Sequence, residues 1–242
     1  MIDFYVGLSN GLKSSLIITV VISIVLIIIG SRVKKLEAAD APTGVTLIAV
    51  VFVKGMNNML HDFFNSKNWK AFAPLMITIF IYLLFANTVS LFGLSTPLAN
   101  ISVALSFSIF AFVSIQVAAL IIKRPKGRVK DLLGDSPVLL PITLIGEIST
   151  PFAMGLRLFG NLLSGSIIGI IVYGLSHAFG LFVDGILGSG ALGAIGYTLS
   201  QVFGVGFGAI VLHPIFDIFF GAIQAYVYFI LFSIFLSMAV ED

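Results

Sequence analysis

The chain has no cysteine, which excludes a disulfide scaffold and any metal centre or nucleophile that needs a thiolate. Charge is nearly as scarce. Asp, Glu, Lys and Arg make up 10% of the 242 residues, against about a quarter in a soluble domain, so a water-soluble globule is excluded. A net charge of +2 is too small in so apolar a chain to point to nucleic acid. Disorder is excluded as well, because 59% of the residues are hydrophobic and that much apolar surface cannot stay solvated. No internal repeat, low-complexity tract or second domain is evident. The class that remains is an all-α polytopic membrane protein.

With only 13 Lys and Arg residues, each can be placed. One group is Arg32, Lys34, Lys35, Lys54, Lys67 and Lys70, and a second is Lys123, Arg124, Lys126, Arg128 and Lys130. Lys13 and Arg157 stand apart. Basic residues are retained in cytoplasmic loops, so both groups are expected to face the cytoplasm. The stretches 93–100 and 176–197, which hold no Lys or Arg, are expected to face outward.

The apolar runs fit this arrangement, since about 20 helical residues span the hydrocarbon core. Residues 12–30 cross once, from an outside N-terminus to a stop-transfer cluster at Arg32–Lys35. No small-residue cleavage site precedes that cluster, which argues against a signal peptide. Residues 44–66 are apolar but broken by Lys54, Asn57, Asn58, His61 and Asp62, and read as an amphipathic helix in the cytoplasmic interface. Residues 72–93 and 101–122 form a pair of spans leading into the basic loop KRPKGRVKD. The runs 138–175 and 198–240 are too long for simple spans. Each is either a helical hairpin or one strongly tilted helix, with Pro151 and Pro214 as kink positions. The expectation is about five membrane-embedded helices plus the interfacial one, within a single membrane domain, 1–242.

Ionisable residues inside a span are costly, about 2.5–3.5 kcal/mol for a central Arg or Asp, and usually functional. Here they are Glu147, Arg157 and Asp217, with His213 beside the last. Arg157 is either locked in an internal ion pair with Glu147 or Asp217, or is a fixed cation aimed at a mobile anion. Asn161 follows it by one helical turn on the same face. Gly155, Gly160, Ser164, Gly165 and Ser166 keep the surrounding surface small, as helix packing requires. His213, Asp217, Gln224 and Tyr228 form a polar stripe at helical spacing. A His–Asp pair four residues apart can relay protons or simply satisfy itself; without a third ligand it makes a poor zinc site. Asn87, Ser90, Asn100 and Ser102 add scattered polarity to the middle spans.

EISTPFAMGLRLFGN, followed near the C-terminus by GAIQAYVYF, resembles subunit a of the rotary F-type ATP synthase, in its bacterial version, mainly over residues 137–240. The resemblance implies a stator subunit that cups the ring of c subunits with two long inclined helices. It places Arg157 at the family's essential arginine facing the ring carboxylate, with Asn161 and Gln224 beside it. It places Asp217 in the outer access path and Glu147 in the path to the cytoplasm; His213 is added from the stripe alone. Two positions depart from the pattern: Ser166 stands where relatives often carry Glu or His, and Asn100 where some carry Asp.

The implied mechanism is proton conduction through two offset half-channels separated by Arg157. The implied setting is a bacterial plasma membrane, with the C-terminus cytoplasmic and the c-ring, b-type stalk subunits, other synthase subunits and lipid as partners. No cofactor is implied, and the chain is not catalytic alone. The competing expectations are a self-contained secondary transporter or channel with an Arg–carboxylate gate, for which no inverted repeat is found, and a purely structural scaffold.

Overall fold

A computed structural model describes residues 10–34, 42–64, 69–92, 94–133, 140–188 and 190–241. Among these residues the chain is helical throughout, with no strand. Helix α1 is Asn10–Lys34, α2 Gly44–Phe63 and α3 Trp69–Thr88, continued by a 3-10 turn at Val89–Phe92. After a short 3-10 turn at Pro97–Ala99 come α4, Ile101–Leu133, and α5, Leu140–Leu187. Helix α6, Ala191–Phe207, runs on through π-helical stretches at Gly208–Leu212 and Pro214–Phe220 into α7, Gly221–Val240. Among the described residues six stretches are long and apolar enough to cross a membrane, which makes the chain a polytopic membrane protein.

Helix α7 is apolar on nearly every side, and it buries one face against its neighbours while Ile223, Tyr226 and Met238 stay exposed. Its Tyr228, Phe229, Phe232 and Leu236 meet Met76, Phe80 and Leu83 of α3 and Ala104, Ala111 and Ala118 of α4 in one core. The three alanines repeat every seven residues, and their small size lets α4 approach closely. The buried Tyr228 hydroxyl donates to the Phe107 carbonyl at 2.6 Å, as a phenol removed from water requires. Asn100 caps α4, its Oδ1 accepting the Ser102 N–H at 2.9 Å.

Helix α5 rests on α4 through Gly155. A Cβ there would lie 2.5 Å from Ser108 Oγ, 3.0 Å from a Leu105 methyl and 3.3 Å from the Ala104 carbonyl oxygen. Gly155→Val is expected to force the helices apart at a cost of about 1–3 kcal/mol, read as a lower midpoint of thermal unfolding in detergent. An unchanged midpoint would show that the contact is dispensable.

Several boundaries differ from those read in the sequence. Helix α5 continues past residue 175 to Leu187, and α6 already begins at Ala191. The stretch 176–197, expected to face outward, is a tight helical hairpin, its turn resting on Gly188 at φ +79°, a conformation glycine adopts without strain. The 48 residues of α5 make one helix about 72 Å long, more than twice the hydrocarbon thickness.

The segment KRPKGRVKD is helical on both sides of a break at Arg124 (φ 62°, ψ 161°) rather than a loop. The break immediately precedes Pro125, and a residue before proline avoids the α region. Pro151 lies inside α5 without ending it, whereas Pro214 sits in the π-helical stretch. Lys35, Lys67 and residues 65–66, 93 and 138–139 of the expected segments lie outside the described residues.

Candidate functional site

The two long elements run antiparallel in a steady register, each residue forward on α5 matched by one back on its partner. Gly180 packs against Tyr197 and Ser200, Gly204 against Ser176, Gly208 against Tyr173, and Gly165 against Phe216. A Cβ at Gly180, Gly204 or Gly208 would collide with the facing side chains, and one at Gly165 would press on the Phe216 ring. Further along, Glu147 shares a cavity with Phe235 and Met238 of α7. The pairs Gly165–Phe216 and Glu147–Phe235 bracket Arg157, and the same register carried between them sets Arg157 level with Gln224.

Arg157 is exposed on the protein surface. It forms no ion pair or hydrogen bond with any described residue, so pairing with Glu147 or Asp217 is not how this cation is satisfied. Both carboxylates have other partners: Gln116 Nε2 donates to Glu147 Oε2 at 3.0 Å, and His213 Nδ1 lies 3.0 Å from Asp217 Oδ2. Around Arg157, α5 exposes mainly apolar side chains, among them Phe152, Leu156, Leu163 and Ile167, with Ser164 and Ser166 the exposed hydroxyls between them. On the other long element Phe219, Ile223 and Tyr226 are exposed. Asn161, one turn on from Arg157, is half-buried, and its buried Nδ2 has no protein partner.

Two separate cavities flank this level. The inner one, about 420 Å³, lies among α4, α5 and α7 and is lined by Gln116, Lys123, Glu147, Thr150 and Met154 together with α7 side chains. The outer one, about 240 Å³, is lined by Ser90, Leu162, Ser166, Tyr173, His213 and Asp217, among others. Neither is lined by Arg157. Along α5 the gap between the last inner lining residue, Met154, and the first outer one, Leu162, is about 12 Å of helix. Each cavity has room for several waters at about 30 Å³ apiece.

The outer cavity depends on the π-helical stretch. Pro214 cannot donate a backbone N–H and its ring crowds the carbonyl four residues back; the wider i→i+5 turns seen around it relieve that crowding. The widening alters the angular step on which the polar stripe was reckoned. Asp217, Gln224 and Tyr228 are nevertheless buried, while the His213 side chain is half exposed. Ser90 Oγ, also in the outer cavity, is buried without a protein partner. Asn87 Nδ2 donates to the Gly221 carbonyl at 3.2 Å and ties α3 to α7 at the foot of this region.

The sequence profile of the family described as ATP synthase A chain matches residues 14–237. The chain belongs to this family. Among its relatives it is 29% identical to ATP synthase subunit a 2 of Chlorobaculum tepidum, over 87% of this chain and 56% of the relative. It is 26% identical to ATP synthase subunit a of Chlorobium phaeobacteroides, over 98% of this chain and 66% of the relative. For ATP synthase subunit a of Mycoplasmoides gallisepticum the identity is 28%, over 82% of this chain and 67% of the relative. The chain thus spans between about half and two thirds of the length of these members of the ATP synthase A chain family.

Gln116 was not among the residues singled out in the sequence. It is one amide within the apolar run FVSIQVAAL, and nothing local marks it as the partner of a carboxylate thirty-one positions away.

Proposed function

We propose that this chain is the stator subunit of a rotary ATP synthase membrane sector, carrying protons through two half-channels to and from a carboxylate on a c-type ring. The observation that carries the reading is the exposed, unpaired Arg157 on a largely apolar face, with one polar cavity on each side of it and neither lined by it. A guanidinium left facing hydrocarbon is costly, so its partner is an anion on another chain. Protons enter through the outer cavity by way of Asp217 and His213 and neutralise the ring carboxylate. The neutral site then crosses lipid at low cost, which a charged site cannot do.

After nearly a full rotation the carboxylate delivers its proton to the inner cavity at Glu147. Arg157 favours the ionised carboxylate and repels a proton that would pass straight through; Asn161 and Gln224 supply polar contacts beside it. The membrane potential contributes about 2.3 kcal/mol per charge per 100 mV. The chain makes no ATP itself. Its partners are the ring, b-type stalk subunits, the rest of the synthase and lipid. The basic groups hold the inner cavity and the C-terminus at the cytoplasmic face of a bacterial plasma membrane and the N-terminus outside, with α2 in the cytoplasmic interface.

With no native cysteine, cross-linking has no background from this chain. Leu163→Cys and Ile167→Cys, both on the exposed face of α5, are expected to cross-link to a cysteine on the outer helix of the ring subunit. Val21→Cys on α1, equally exposed, is expected to give none. Absence of the first cross-links, together with solute transport by the purified chain alone in liposomes, would favour the secondary-transporter alternative.

A further inference from the structure

The inner cavity is walled by α4 as much as by α5, and the polar group that α4 sets against Glu147 is an amide. Gln116 and Glu147 both line the cavity, with Gln116 Nε2 donating to Glu147 Oε2 at 3.0 Å. A carboxamide neither takes up nor releases a proton near neutral pH. Its effect on a carboxylate is to fix one oxygen and to favour the ionised form. Among the described residues, Lys123 is the other charged group lining the cavity, and its Nζ donates to the Glu241 carbonyl at 2.7 Å. From α7 the wall is Phe235, Met238 and Ala239, none of which titrates. Beyond them the Ser237 hydroxyl reaches Glu241 Oε2 at 3.3 Å. From α5 itself the other polar side chain on the cavity is the neutral Thr150.

We infer that Gln116 is a positioning residue for proton release, its N–H fixing the Glu147 carboxylate as the acceptor from which the proton is discharged toward the cytoplasm. This rests on Glu147 being the inner relay. Without the amide the ionised carboxylate loses a hydrogen-bond donor that its protonated form does not need, and release is slowed most when the cytoplasmic side is acidic.

The test uses the intact complex in liposomes, with proton-driven ATP synthesis recorded against cytoplasmic-side pH at constant total driving force. Rates are taken as the ratio of variant to wild type, so that the unaltered catalytic head cancels. Gln116→Met, close in shape but without the donor, is expected to move the acid limb to higher pH by about one unit while the plateau is kept. Gln116→Glu, which sets a second carboxylate against the first, is expected to move it further. In a Glu147→Gln background neither change should shift the limb.

A rate lowered evenly at every pH would mean that Gln116 only packs, and would overturn the proposal. So would an unmoved profile in complexes whose profile Glu147→Gln does alter. If Glu147→Gln itself changes nothing, it is the inner-relay reading that fails, and this inference falls with it. Should Gln116→Met fail to assemble, Gln116→Asn draws the amide back by one methylene and is expected to give the same shift.

Discussion

Replacing Arg157 by alanine is expected to reduce proton-driven ATP synthesis to background while the assembled complex still hydrolyses ATP in its head. Among the described residues no hydrogen bond or ion pair depends on this side chain: it is exposed, and the helix beneath it is held by Met154, Leu158 and Leu162. The alanine variant should therefore fold and assemble, which co-purification with the ring would establish. What it loses is electrostatic. An opposite charge at close range lowers a carboxylate pKa by about 1–3 units. Without it the ring site stays protonated as it passes and is not reset between the cavities. The barrier between the two cavities is weakened at the same time. Arg157→Lys is expected to be nearly as severe, because a desolvated ammonium gives up its proton more readily and lacks the planar fork. Coupled synthesis at the wild-type rate in Arg157→Ala would sink the mechanism, and a loss of assembly alone would favour the scaffold reading.

The features of the sequence that proved most legible are those set by bulk hydrophobicity. The two overlong apolar runs stand out because only Glu147, Arg157 and Asp217 interrupt them with charge, and their separateness from the basic segments is a matter of counting. Their ends were less legible. GILGSGALG turns the chain within a few residues, yet the serine and glycine content from Ser176 onward resembles a loop. Only the packing of Gly180, Gly193 and Gly204 against the facing helix explains why those residues are small. The π-helical stretch was illegible too: a proline in an apolar helix predicts a disturbance, but whether it kinks the helix or widens it depends on what lies against it.

Among the site residues, spacing along one helix correctly brought His213 to Asp217, since that contact is local. Contacts between elements were out of reach. Neither the solitude of Arg157 nor the amide of Gln116 against Glu147 follows from spacing, because each depends on which faces of α4, α5 and α7 meet.

The outer cavity supports the second large expected effect. The Asp217 side chain is 11% exposed and that of His213 50%, so the pair runs from the edge of the cavity to a buried carboxylate. Asp217→Asn preserves shape and can still hydrogen-bond His213, so folding and assembly should survive, but an amide cannot carry a proton. A positioned proton-transfer group is worth about 10²–10⁴-fold. With the half-exposed imidazole beside it as a partial substitute, the loss is expected at the lower end, about a hundredfold in proton flux through the reconstituted complex. His213→Ala should cost less, because the carboxylate keeps its place at the buried end, and the double variant should fall below either single one. The comparison separates relay from structure. If the pair merely satisfies a buried carboxylate, Asp217→Asn retains its hydrogen bond and should conduct as wild type, whereas His213→Ala, which strands that carboxylate, should be the more damaging of the two. The relay requires the opposite order.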